Sequence, residues 1–230
     1  RAHVVCANRM QSRNAMWSGL VPHHNGVEGF YQVPDARHPH LADLMKGAGY
    51  LTAIQHKVSH STPYAPYPAW DINLDTGPDG RRRDVKAPGS YGEGTAQGIQ
   101  AARDAGKPFC LVINVADPHK PFYAESNRGE TIPDKNVPTC VFEPGQMPIP
   151  GFLFDDPVVR KELSHYYSSV RRADDCVGEI LAALRRSGLD ERTLVIFTSD
   201  NGPWLLYGNH AGSALPLREG KGTMFDSSGV

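Results

Sequence analysis

Thr193-Leu194-Val195-Ile196-Phe197-Thr198-Ser199-Asp200-Asn201-Gly202 joins four consecutive apolar residues to an abrupt polar turn. An unbroken apolar run of this length predicts a short strand buried on both faces, as in a parallel sheet covered by helices. In open α/β sheets, ligands collect at the carboxyl ends of strands, where loops carry the chemistry. Asp200 and Asn201 stand at that end and offer side-chain oxygens on adjacent residues, a hard-oxygen pair suited to Ca²⁺ or Mg²⁺. The plainer reading of these residues alone is an Asn-Gly turn that closes a strand.

The segment before this stretch carries the strongest helical pattern in the chain. From Asp156 to Arg186, Val159, Leu163, Tyr166, Val170, Ala173, Val177, Ile180, Leu181 and Leu184 recur at three and four, the period of one buried helix face. Pro157 suits the first turn, Gly188 follows the last, and Arg185 and Arg186 favour the carboxyl end of the dipole. Gly178 within it costs about 1 kcal/mol relative to Ala, so close packing is expected there.

Further back, a helix over 95–105 leads to a second buried strand, Phe109 to Val115, with Asp117-Pro118-His119 close behind. A helix from Pro39 to Lys46, with Leu41, Leu44 and Met45 on one face, is closed by Gly47 and Gly49. The strand Tyr50 to Gln55 follows. Ser12 to Ser18 forms a short helix ending at Gly19, and His23-His24-Asn25-Gly26 marks a turn. Residues 61–94 and 120–155 are rich in loops. The Arg81-Arg82-Arg83 run reads as a solvated turn, with an anionic-substrate patch as the alternative. Alternating strands and helices with polar punctuation define an α/β fold, a mixed, mainly parallel sheet sandwiched between helices.

The 230 residues carry a net charge of −1, so no global field favours nucleic acid. No apolar run approaches the ~20 residues that span a bilayer. The residues from Arg1 onward do not show the charged start and apolar h-region of a signal peptide. Cys6, Cys110, Cys140 and Cys176 lack CxxC spacing, which supports neither zinc nor a disulfide framework. Cys110 and Cys176 read as buried thiols of a strand and a helix.

Four segments in order resemble the sulfatases of the alkaline-phosphatase-like superfamily, nearest in motif to iduronate- and heparan-type members. Ser12-Arg13, Gly19, Pro22-His23 and Asn25-Gly26 resemble the second half of the family signature, in which Cys-x-Pro-Ser-Arg is followed six residues later by Gly, then by Pro-His and Asn-Gly. Lys57-Val58-Ser59-His60 is similar to the family's Lys-x-x-His segment. Thr198-Ser199-Asp200-Asn201-Gly202 follows, then Gly220-Lys221-Gly222 after Asn209-His210-Ala211-Gly212 resembles its second lysine loop. Together they span nearly the whole chain.

The resemblance implies metal-dependent hydrolysis of sulfate esters, with a sulfated carbohydrate or another small sulfate ester as partner. Asp200 and Asn201 would be metal ligands, most often for Ca²⁺. Lys57 and Lys221 would hold sulfate oxygens, and His60 would orient the sulfate or assist proton transfer to the leaving oxygen. Arg13 would brace the nucleophile loop, while His119 and His210 would approach the substrate. Periplasmic, secreted or lysosomal placement goes with the family. So does a catalytic formylglycine, made from a cysteine or serine four residues before the signature arginine.

The chain departs from that pattern. Arg9 occupies the nucleophile position and Gln11 the proline position; arginine stays protonated and cannot attack. Cys6 is the nearby candidate nucleophile, but a three-residue insertion separates it from the required register and breaks the sequence needed for its oxidation. Ala116 replaces the first histidine of His-x-Pro-His. The family's Asp-Asp strand would lie before Arg1 and its smaller C-terminal subdomain after Val230, so an incomplete single sulfatase-type domain over 1–230 is expected, inactive by itself. Three functions stay open: a sulfatase using Cys6 or another nucleophile; a non-catalytic protein holding sulfated glycans through Arg9, Arg13, Lys57 and Lys221; or a phosphodiester or phosphonate hydrolase. The last would need threonine, serine or cysteine where Arg9 stands.

Overall fold

The computed structural model describes residues 4–35, 38–205, 213 and 220–222. The chain divides into two compact units, one of Arg1–Thr52, Lys57–Asp71 and Leu194–Val230, the other of Ala53–His56 and Ile72–Thr193.

The first unit begins with α1 (Arg9–Ser18), capped by Asn8, whose side-chain oxygen accepts from Arg9 N, and closed by Gly19 in the left-handed region. The helix starts three residues before the sequence pattern predicts, because its first turn is polar and carries no periodicity to read. The short α2 (Pro22–Asn25) is closed by Gly26. His40 caps α3 (Leu41–Gly47) with a reciprocal box: it accepts from Ala42 N while Asp43 accepts from His40 N. Of the apolar face, Leu41 and Met45 are half-buried and Leu44 is exposed, while Ala42 is fully buried. Met10, Val27 and Tyr64 form a core cluster, with Val33 and Tyr67 packed on it. The one-turn α4 (Val58–Ser61) completes the helices of this unit.

The chain crosses into the second unit within β1 (Leu51–Gln55), buried at every position. In the sheet order β2-β1-β3, β2 (Ile72–Asn73) runs parallel to β1 with Ala53 opposite Ile72, and β3 (Phe109–Ile113) takes the other side. Against the sheet lies α5 (Pro88–Asp104), which begins seven residues earlier than its periodicity predicts. Glycines obscured that start. A Cβ on Gly94 would fall 2.0 Å from the Gln55 side chain, and one on Gly98 would fall 2.8 Å from Leu111. These glycines trade helix propensity for close approach of helix and sheet.

Helix α6 (Pro157–Arg186) packs along α5 and spans nearly the residues its pattern marked, capped by Asp156 and followed by left-handed Gly188. Gly178 does not pack closely, since nothing lies within 4 Å of a Cβ placed there. Nor is the arginine run simply solvated. Arg83 is buried and donates to the carbonyls of Leu74 and Thr76 and to Gln97, whereas Arg81 stays in water. Arg172, from α6, is fully buried against Asp117 at 2.6 Å and Asp134 at 2.7 Å.

The clearest correction concerns 193–198. This segment forms no strand; Leu194 is 85% and Phe197 82% exposed. Hydrophobicity reports the environment a segment favours, but a strand exists only when neighbours hydrogen-bond to it.

Candidate functional site

Every described residue assigned to sulfate or metal except His119 falls in the first unit. Arg9 is the first residue of α1, immediately after its cap. One turn on, Arg13 donates from Nε and Nη2 to the same oxygen of Asp200, both at 2.9 Å. The loop-bracing role expected of Arg13 is thus joined to the residue expected to bind metal. Gln11, in the proline position, is buried and donates to the Glu28 carbonyl at 3.1 Å.

Lys57 leaves the end of β1 in the left-handed region, φ 51°, directly after His56 at φ 60°. Two consecutive non-glycine residues in that region hold strain of the kind that collects at functional turns. The Asn114 amide donates to the carbonyls of Gln55 and His56 and so pins the start of this turn. Lys57 then caps α4, whose last turn carries His60. Asn14 of α1 donates to the His60 carbonyl at 2.9 Å, fixing α4 to the helix that bears both arginines. Sequence reasoning missed this Asn14 contact; a polar residue facing the core between Met10 and Ala15 was its only signal.

Lys221 reaches the same cluster from the far end of the chain. Its N–H donates to Pro203 O at 2.7 Å, and its ammonium lies 5.3 Å from the centroid of the Trp204 ring. Gly220 has no room for a side chain, because a Cβ would fall 2.3 Å from Pro203 O. Gly222 takes φ 85° and donates to the Ala7 carbonyl at 2.8 Å. Glycine is therefore required on both sides of the lysine, for close approach on one side and a left-handed turn on the other.

Electrostatics bind these residues into one group. Burial first, and then Arg9 and Arg13, hold the Lys57 ammonium below its ordinary range, with Asp200 opposing and Lys221 adding repulsion. Lys221 is lowered by burial and then Arg9. Burial, followed by Lys57, Arg9 and Arg13, depresses His60, which therefore favours its neutral form. Four cationic side chains share the field of one carboxylate. Such an arrangement stabilises a bound anion, because each cation loses repulsion when a negative charge enters.

The fit to a metal is partial. Asn201 Oδ1 is buried without a hydrogen-bond partner, an oxygen acceptor suited in kind to a hard cation. One Asp200 oxygen already accepts from Arg13. Among the described residues no group of three or more His, Cys, Asp or Glu gathers to hold a metal. Asp200 and Asn201 suit part of a ligand shell, short of the six to eight oxygens that Ca²⁺ takes.

Cys6 lies outside α1, and burial pushes its thiol up, away from the reactive thiolate. All four cysteines are free. His119 belongs to the second unit. It is exposed, its Nδ1 is 2.7 Å from the Lys120 carbonyl, and its own carbonyl accepts from Lys86. His210 lies outside the described residues.

With this geometry in place, the comparisons settle the family. The sulfatase family model matches residues 1–228, and the chain belongs to the sulfatase family, whose members are sulfuric ester hydrolases. Human N-sulphoglucosamine sulphohydrolase is 31% identical over 226 residues, a match covering 83% of this chain and 40% of that protein. BT4656, solved with its substrate D-glucosamine-2-N,6-O-disulfate, shares the fold at TM-score 0.63 and 16% identity, over 96% of this chain and 61% of its own. A phosphonate monoester hydrolase from Silicibacter pomeroyi shares it at TM-score 0.62 and 15% identity, covering 98% and 58%. The chain thus spans less than two thirds of the length of each. Among the described residues no helix is long and apolar enough to cross a membrane.

Proposed function

We propose that the site takes the sulfate group of a sulfated carbohydrate, and that this chain by itself holds the ester without cleaving it. The observation that carries the reading is Arg9 at the first position of α1, four residues before Arg13, within the field of Lys57 and Lys221. A guanidinium there adds a fixed positive charge where the family pattern calls for a nucleophile. Arg9, Lys57 and Lys221 would hold sulfate oxygens, and neutral His60 would orient the ester. Arg13 holds Asp200 in place. A Ca²⁺ or Mg²⁺ ion would lie on Asp200 and Asn201, where, once bound, it would supply positive charge toward an ester oxygen. The carbohydrate assignment follows human N-sulphoglucosamine sulphohydrolase, the 31%-identical relative. A compartment outside the cytosol goes with the same reading.

A second reading, hydrolysis with Cys6 as nucleophile, draws support from one contact. The Gly222 N–H bonds to the Ala7 carbonyl, which ties the residue after Cys6 to the Lys221 loop. The raised thiol pKa weighs against it. A phosphonate hydrolase has fold likeness alone, and Arg9 stands where its nucleophile would be needed.

The test is sulfate release from an aryl sulfate, with Ca²⁺, alongside binding of a sulfated oligosaccharide. Binding without release is expected. Release that disappears in Cys6→Ala would establish the second reading instead.

A further inference from the structure

Phe30 is 51% exposed, yet it stands on a loop braced on its N-terminal side. Val27 is fully buried. The Glu28 carbonyl accepts from Gln11, and the Glu28 N–H donates to the Tyr31 hydroxyl at 3.2 Å. This bond lays the Tyr31 ring over Gly29, where a Cβ would fall 2.6 Å from it. The loop is therefore held while the Phe30 ring projects from it.

Among the described residues the ring meets neutral His60 and cationic Arg9, both of the candidate site. Its centroid lies 5.7 Å from that of His60, tilted by 61°, and the Arg9 guanidinium carbon is 5.6 Å from the same centroid. Core packing does not explain an aromatic ring placed this way. Substrate chemistry does. A sulfated sugar presents an anion, which cations hold, and a ring face of C–H groups, whose weak positive polarity matches the negative face of an aromatic ring.

We propose that Phe30 is the platform on which the sulfate-bearing sugar ring stacks, so that the site selects sulfate on a carbohydrate ring over inorganic sulfate. This rests on reading the cationic cluster as a sulfate site.

Calorimetric titration of the full chain with inorganic sulfate and with an N-sulfated glucosamine tests it. The sugar should bind at least about tenfold more tightly than inorganic sulfate, a modest stacking contribution. Phe30→Ala should remove that advantage and leave inorganic sulfate unchanged; Phe30→Tyr should restore it. Equal losses for both ligands in Phe30→Ala would show that Phe30 acts only through Arg9 or His60 and would overturn the proposal, as would no loss at all. Wild-type protein that binds both ligands equally would overturn the platform and keep the sulfate site. Wild-type protein that binds neither would overturn both.

Discussion

Arg13 grips a single oxygen of Asp200 with two donors at 2.9 Å, across 187 positions of sequence. The pair fastens the helix that carries Arg9 to the turn that carries Asn201. Its side chains are only 12% and 21% exposed, so water screens the pair little. Charge-assisted bonds of this kind contribute about 1.5–3 kcal/mol.

Asp200→Ala should therefore lower stability by about 2 kcal/mol and leave Arg13 in a more repulsive field. It should also abolish any rise in melting temperature produced by Ca²⁺. An unchanged Ca²⁺ shift in the variant would remove Asp200 from the ligand set.

Acid should act through His60. Its folded pKa is held below 6.5 by burial and the adjoining cations, so below 6.5 the unfolded chain binds more protons than the folded one. Its contribution to stability is intact above 6.5 and is lost as pH falls through that value toward the folded pKa. Urea midpoints measured against pH should fall more steeply below 6.5 in wild type than in His60→Gln. Sulfate should protect increasingly as pH falls, because a bound anion favours the imidazolium. Identical slopes for the two proteins would mean that another group governs the acid limb.

Much of this site was legible because its chemistry is local. Lys57 after a buried strand, Asp200-Asn201 before glycine, and lysine between two glycines are short patterns whose backbone demands show directly in residue type. Helix α6 was equally plain, since one face repeats for eight turns. What failed was what depends on distant neighbours. The 193–198 run looks like a strand because of its composition, but no ladder forms on it. Helix α5 hid its start behind glycines that only the Gln55 and Leu111 side chains explain. Buried Arg83 looked like part of a solvated turn, and nothing local marked Arg172 as buried, because its acceptors come from other segments.

Arg172 shows what such a hidden charge is worth. Both side chains of its pair with Asp117 are 1% exposed, and Asp134 and the Asn136 carbonyl complete its shell. Arg172→Ala would leave buried Asp117 with Lys86 alone and strip the partner from its other oxygen. Removing one partner of a buried pair costs about 3–5 kcal/mol, and chemical denaturation should show a loss of that size. A loss below about 1 kcal/mol would mean that Lys86 by itself compensates the Asp117 carboxylate.

Gly220→Ala isolates the lysine loop from the rest of the site. The new methyl would meet the Pro203 carbonyl at 2.3 Å, a backbone atom that cannot swing aside, so the loop itself must move. Overpacking of this kind costs about 1–3 kcal/mol. Lys221 N–H donates to that same carbonyl, so the displacement carries the lysine with it. The expected outcome is weaker sulfate binding, of the same order as in Lys221→Ala, while the Arg13–Asp200 pair survives and Asp200→Ala still destabilises the variant. Wild-type affinity in Gly220→Ala would show that Lys221 does not reach the anion, leaving Arg9 and Lys57 to hold it.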